Sequence, residues 1–172
     1  LPGRSQILID AKDSVSALRE FKHALDQRPD LIIDGLFGIG LNRGLDHDHC
    51  DLVRTINQAK IPILSVDCPS GINADTGEPM NAAIMANRTI TLGSPKTGLL
   101  QSCADDFVGT VEVADRIGLS GEPPVSQQLW LTAADMHGMP PERSPSGHKG
   151  TYGHLAIIAG STGYHGAACL SA

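Results

Sequence analysis

The sequence predicts an α/β protein: a Rossmann-like, three-layer αβα domain with a mainly parallel sheet. Two observations carry that expectation. Short apolar runs, "LII" (31–33) and "ILSV" (63–66), each end at an acid, Asp34 and Asp67, and then enter a loop rich in Gly or Pro. The segments around them repeat their apolar residues with helical period, and strands alternating with such segments indicate βαβ units.

The elements follow in order. "QILID" (6–10) reads as a strand. Residues 13–28 carry Val15, Leu18, Phe21 and Leu25 on one helical face and stop before Pro29. "DLIID" (30–34) is a strand that hands the chain to glycines 35, 38, 40 and 44. A second helix is expected over 48–59, with Leu52, Val53 and Ile56 inward. "IPILSVD" (61–67) is a strand with Pro62 at its start, where a missing N–H is harmless. "RTITL" (88–92) and "GTVEVAD" (109–115) are β-branched runs and read as two more strands.

Five of the eleven prolines (123, 124, 140, 141, 145) fall between residues 121 and 147, which reads as a linker. After it "HLAIIAG" (154–160) suggests a new buried strand, followed by a glycine loop and the start of a helix. The expected organisation is a first domain over 1–120, a lead-in over 121–147 and a further domain beginning at 148–172. Twenty-five residues cannot bury a core, and the sequence does not begin with Met. The chain therefore reads as a fragment, cut at both ends.

Composition narrows the function classes. A 41% hydrophobic, 19% charged chain is a globular one, and 3% aromatic content leaves its core to Ile, Leu, Val and Ala. A net charge of −6 without a Lys/Arg cluster argues against nucleic acid as a partner. No apolar run reaches the ~20 residues of a membrane span. Cys50, Cys68, Cys103 and Cys169 form no C-x-x-C pair, which suits reduced thiols in a cytoplasmic protein. "DHDHC" (46–50) invites a metal reading, but its acids also suit a helix start, and neighbours at i and i+2 face different ways.

The chemistry is expected where strands end. In a parallel sheet, ligands bind beyond the carboxyl ends of the strands, and a carboxylate there is costly to bury without a cation, a ligand hydroxyl or backbone donors. Asp34 and Asp67 hold equivalent places on two such ends. The loop after Asp34 fails the dinucleotide fingerprint G-x-G-x-x-G, because Arg43 stands where the third glycine should be. After Asp67 comes "CPSG" (68–71), in which Ser70 offers a hydroxyl beside the acid. Ser70 is no hydrolase nucleophile, since the elbow G-x-S-x-G would need glycines where Cys68 and Ile72 stand. "INADTGE" (72–78) reads as turn chemistry. Lys96, just past "TITL", is either solvated surface or a charge for a phosphate. The last loop, Gly160-x-x-Gly163-x-x-Gly166, lacks the ending of a P-loop but suits a nucleotide or sugar site, with His148 and Lys149 before it.

Taken together, "DGLFGIGLNRGL", "VDCPSGINADTGE", "TITLGSPKTGLL" and "GTVEVADRIGL" resemble the second half of the NAD(P)H-hydrate epimerase domain. "HKGTYGHLAIIAGSTGYHGAA" resembles the opening of the ADP-dependent NAD(P)H-hydrate dehydratase domain, which has a ribokinase-like fold. Their order is that of the bifunctional nicotinamide nucleotide repair family, an isomerase and a lyase in one chain. The resemblance implies a substrate, the R and S hydrates of NADH and NADPH. It also implies K+, and ADP or ATP for the dehydratase part. By motif, Asp34 and Ser70 would be potassium ligands. Gly38, Ile39, Gly40, Leu41, Asn42, Arg43 and Gly44 would hold the substrate's phosphates, and Asp67 would contact it near the altered ring. Asp67 is the candidate acid/base. Gly166 and Ala167 would begin the dehydratase substrate site, and a homo-oligomer is expected. The family's motif N-N-G-x-D-G is absent from this sequence, so the chain alone is expected to be inactive. Two other readings stand beside this one: a nucleotide-dependent oxidoreductase, for which no Tyr-x-x-x-Lys is evident, and a non-catalytic nucleotide-binding scaffold.

Overall fold

The computed structural model describes residues 6–10, 12–118, 129–139, 145–148, 150–151, 153–154, 156–163 and 166–171. The chain forms two compact units, residues 1–125 and 126–172.

In the first unit, α1 (Ser14–Leu25) starts at Asp13, whose carboxylate accepts from the Val15 N–H and the Ser16 hydroxyl at 3.2 and 2.6 Å. Lys22 and His23 sit in its last turn, where positive charge meets the carbonyl end of the helix. Its inward stripe is Ser14, Ala17, Phe21 and Ala24, spaced by three and four residues. Val15, expected inward, lies one position off that stripe and is 52% exposed, while Leu18 and Leu25 flank the core.

Four parallel strands, β1 (Ile32–Asp34), β2 (Ile63–Val66), β3 (Arg88–Leu92) and β4 (Thr110–Ala114), pair in chain order. The helix α2 (His47–Gln58) connects β1 to β2, with Leu52, Val53 and Ile56 buried as the periodicity predicts. Its N-cap is Asp46, which accepts from the His49 N–H at 2.9 Å. That bond, with Asp48 in the first turn, accounts for the acids of "DHDHC".

Two apolar cores form. One joins Ala17 and Phe21 of α1, Leu52, Val53 and Ile56 of α2, and Ile63 of β2. The other gathers Cys68, Ile72, Leu99, Ala104 and Val108, with Val111 of β4 packed against it; Val108 ends the short helix α3 (Asp105–Val108). Pairing places Ile32, Ile63, Thr89 and Val111 on one sheet face, so both cores lie on that side. "QILID" forms no strand: residues 6–10 pair with no strand, and Leu8 is 88% exposed. A short apolar run becomes a strand only where a partner edge is available, which periodicity alone does not reveal.

In the second unit, Asp135 accepts from the Thr132 N–H and hydroxyl at 2.8 and 2.7 Å, closing a turn. Residues 156–160 of the expected strand "HLAIIAG" form none, and Ile158 is fully exposed. A short helix, α4, spans Gly166–Ser171.

Candidate active site

Asp34 ends β1 opposite Ser65 of β2, and only 3% of its surface is exposed. Its Oδ1 accepts from the Ser70 hydroxyl at 2.6 Å and the Leu36 N–H at 3.3 Å. Its Oδ2 accepts from the Ser65 hydroxyl at 2.7 Å and the Ser70 N–H at 2.9 Å. Four donors fill the acceptor positions of the carboxylate, which is how a buried acid is tolerated. Ser70 in turn accepts from the Phe37 N–H at 2.9 Å and lies 3.4 Å from the Phe37 carbonyl. The loop after β1 and the turn after β2 are thus tied into one polar hub. The Pro-Ser-Gly turn has a further lock: Gly71 adopts φ +98°, and a Cβ there would lie 2.0 Å from the Ala82 carbonyl oxygen.

The oxygens gathered at Asp34, Ser70 and Phe37 are hard donors, the kind a cation such as potassium takes. The residues present therefore fit such an ion in kind. Because the carboxylate is fully engaged, the ion would displace a donor, and the 3.3 Å bond from Leu36 is the longest of the four. Among the described residues, no group of three or more His, Cys, Asp or Glu gathers that could hold a metal.

Asp67 leaves β2 in the left-handed region, at φ +71°, a conformation uncommon outside glycine and most accessible to Asp and Asn. Its N–H bonds the Ile90 carbonyl at 2.7 Å. Its Oδ1 accepts from the Leu92 N–H at 3.1 Å and pairs with the Lys96 ammonium. Lys96 is therefore neither free surface nor a free charge for phosphate. Beside them, burial, the Asp67 charge and the Asp34 charge push the Cys68 thiol up to about 11, outweighing Lys96. A neutral thiol that is 1% exposed is a packing group and not a nucleophile.

The glycine loop turns at the Leu41 N–H to Gly38 carbonyl bond of 3.3 Å and lines an open cleft of about 330 Å³ with Leu36, Phe37, Asn42 and Arg43. Gly38 and Gly40 have no positive φ, and a Cβ on either would meet nothing within 4 Å. Neither a positive φ nor packing among the described residues demands glycine there, so the loop's backbone is open to close approach. Gly44 differs: a Cβ there would lie 2.5 Å from the Asn81 Nδ2, so its small size serves packing. Ile39 is 60% exposed, and Arg43 is exposed with no ion pair among the described residues.

The structure thus brings Asp34, Ser70 and the start of the glycine loop together at the carboxyl edge of β1 and β2, with Asp67 on the same edge. Sequence reasoning missed Ser65, whose hydroxyl is one of the four donors on Asp34. A small polar residue in the middle of "ILSV" was the available signal. It also missed the Lys96–Asp67 pair, whose partners are 29 positions apart. In the second unit Gly166 opens α4; the Ala167 side chain and Lys149 lie outside the described residues. His148 Nδ1 accepts from the Gly150 N–H at 3.2 Å.

Comparison with known proteins adds to this geometry. The family described as "YjeF-related protein N-terminus" matches residues 4–98. The bifunctional NAD(P)H-hydrate repair enzyme Nnr of Dictyoglomus turgidum is 38% identical over 172 residues, covering 96% of this chain and 32% of its own length. The enzyme of the same name from Gloeobacter violaceus is 40% identical over 152 residues, covering 83% of this chain and 30% of its own. The NAD(P)H-hydrate epimerase of Limosilactobacillus fermentum is 42% identical over 95 residues, covering 55% of this chain and 46% of its own. The chain spans about a third of the length of the two bifunctional relatives.

Proposed function

Because the chain belongs to the YjeF-related protein N-terminus family, we propose that it carries part of an NAD(P)H-hydrate epimerase site within a bifunctional nicotinamide nucleotide repair enzyme. Residues 1–120 supply the epimerase part, 121–147 the lead-in and 148–172 the start of the dehydratase part, with Gly166 and Ala167 at its substrate site. That second part is a lyase driven by ADP or ATP. The observation that carries the reading is the polar hub: Asp34, Ser65, Ser70 and Phe37 join the loop after β1 to the turn after β2, and Phe37 also lines the open cleft. Such a joint serves a ligand that touches both loops at once.

Gly38, Ile39, Gly40, Leu41, Asn42, Arg43 and Gly44 hold the phosphates of the hydrated dinucleotide, with Arg43 as the charge. Asp34 and Ser70 hold a potassium ion, which supplies local positive charge and stiffens the hub. Asp67 works on the altered ring. The carbon to be inverted bears both a hydroxyl and the ring nitrogen. In a ring-opening route the Asp67 carboxylate takes the hydroxyl proton and the O–H pair becomes the second carbonyl bond. The C–N bond breaks with its pair going to nitrogen, which takes a proton from water. Rotation and closure on the opposite face reverse each transfer: nitrogen gives its proton to the hydroxide left by that water, and oxygen takes one from Asp67. General acid/base help of this kind is worth roughly 10²–10⁴ in rate.

The test uses the full-length protein with separated R and S hydrates of NADH in potassium buffer, following their ratio by chromatography. Wild type should equilibrate the epimers, and Asp67→Asn should leave them near the uncatalysed rate. A wild type that leaves the ratio still overturns the epimerase reading and brings the scaffold reading forward.

A further inference from the structure

The loop after β3 ends at Lys96, whose ammonium carries three protons. Three acceptors meet it: Asp67 Oδ1, the Leu92 carbonyl at 2.8 Å and the Thr91 hydroxyl oxygen at 3.1 Å. No donor remains for a phosphate. The pair is not an ordinary surface ion pair either, since the Lys96 and Asp67 side chains are only 17% and 19% exposed. Two of the three acceptors belong to β3 itself, and Thr91 is fully buried, so the ammonium is aimed from a rigid strand.

The consequence falls on the two oxygens of Asp67. Oδ1 receives both the ammonium and the Leu92 N–H, while Oδ2 takes no hydrogen bond from the described residues. The backbone is pinned as well, by φ +71° and the Asp67 N–H to Ile90 bond. A carboxylate fixed by backbone and by one oxygen presents the other in one place. We propose that Lys96 is the positioning residue of the Asp67 carboxylate: it clamps Oδ1 so that Oδ2 stands ready to take and return the substrate's proton. This role rests on the assignment of Asp67 as the acid/base of the epimerisation.

A misplaced catalytic group costs turnover more than binding, and a displacement near 1 Å can cost about 10²-fold. In the full-length protein, Lys96→Met keeps the apolar stem and removes the ammonium. Its kcat for epimerisation should fall at least about tenfold while KM stays within about threefold. Lys96→Ala should recover kcat in a saturable way when propylammonium is added, and Asp67→Asn should not; a purely structural loss would not respond to the amine. If both Lys96 variants fail to fold by circular dichroism, Thr91→Val carries the test. It removes one anchor of the ammonium and should lower kcat by about threefold with KM unchanged. The proposal is overturned by a Lys96→Met enzyme with wild-type kcat, by a folded Lys96→Ala that propylammonium does not restore, or by an unaffected Thr91→Val where that variant is decisive. If wild type and Asp67→Asn behave as expected, those failures strike the role of Lys96 alone. A wild type that does not epimerise overturns the repair reading and this role with it.

Discussion

Ser65 is one of the partners that let the Asp34 carboxyl be buried. Its hydroxyl, at 2.7 Å from Asp34 Oδ2, is one of four donors on a carboxylate that is only 3% exposed, and Ser65 itself is 0% exposed. Removing one partner of a buried, charge-assisted bond leaves the desolvation cost without its compensation. Ser65→Ala should therefore destabilise the first unit by about 1–3 kcal/mol. The readout is urea unfolding, with a lower midpoint and an unchanged slope. An unmoved midpoint would mean that Asp34 is held adequately by Ser70 and Leu36. At this scale the acids were legible, because an acid after an apolar run has few structural reasons to be there. Their partners were not, because a small polar residue inside an apolar strand signals a buried hydrogen bond without naming its partner.

Elements begin where the sequence supplies caps, and α2 shows the electrostatic side of that rule. The His49 N–H and then the His49 side chain hold the Asp46 carboxyl below its ordinary value of 3.8. A depressed carboxylate stabilises the folded helix start above that ordinary value and loses its effect as pH falls through the lower folded one. The protection of first-turn amides of α2 against hydrogen exchange, corrected for the intrinsic rate at each pH, should fall over that acidic window. Asp46→Ala should show the faster exchange already at neutral pH, and Asp46→Asn, which keeps a cap, should lack the acid dependence. Equal exchange in all three would remove Asp46 from the account of why α2 starts at His47. The helices were readable because cap and periodicity lie within one stretch of chain. The strands expected over residues 6–10 and 156–160 were not, because a strand needs an edge to pair with.

At the scale of the molecule, the sheet is lopsided. Both cores lie on the face of Ile32, Ile63, Thr89 and Val111, while Ile33, Val66 and Leu92 on the other face are 65%, 38% and 36% exposed. Parallel sheets are ordinarily covered on both sides, so this apolar face is open among the described residues. The 172-residue chain alone should bind the dye ANS, and Ile33→Glu should weaken that binding. A dye-silent chain that sediments as a monomer would contradict this. No helix among the described residues is long and apolar enough to cross a membrane.

Local order was determined by the sequence itself: which stretches alternate, where helices are capped, and that Asp34 and Asp67 close neighbouring strands. These follow from period, caps and breakers, which act over a few residues. Tertiary structure alone decided the partners. The register Asp34↔Ser65 set the hub, and the left-handed turn at Asp67 brought its carboxylate to Lys96. It also separated Gly44, which packs on Asn81, from Gly38 and Gly40, which face open space. Burial and hydrogen bonding depend on what the other elements place nearby, and that information is not held in any one segment.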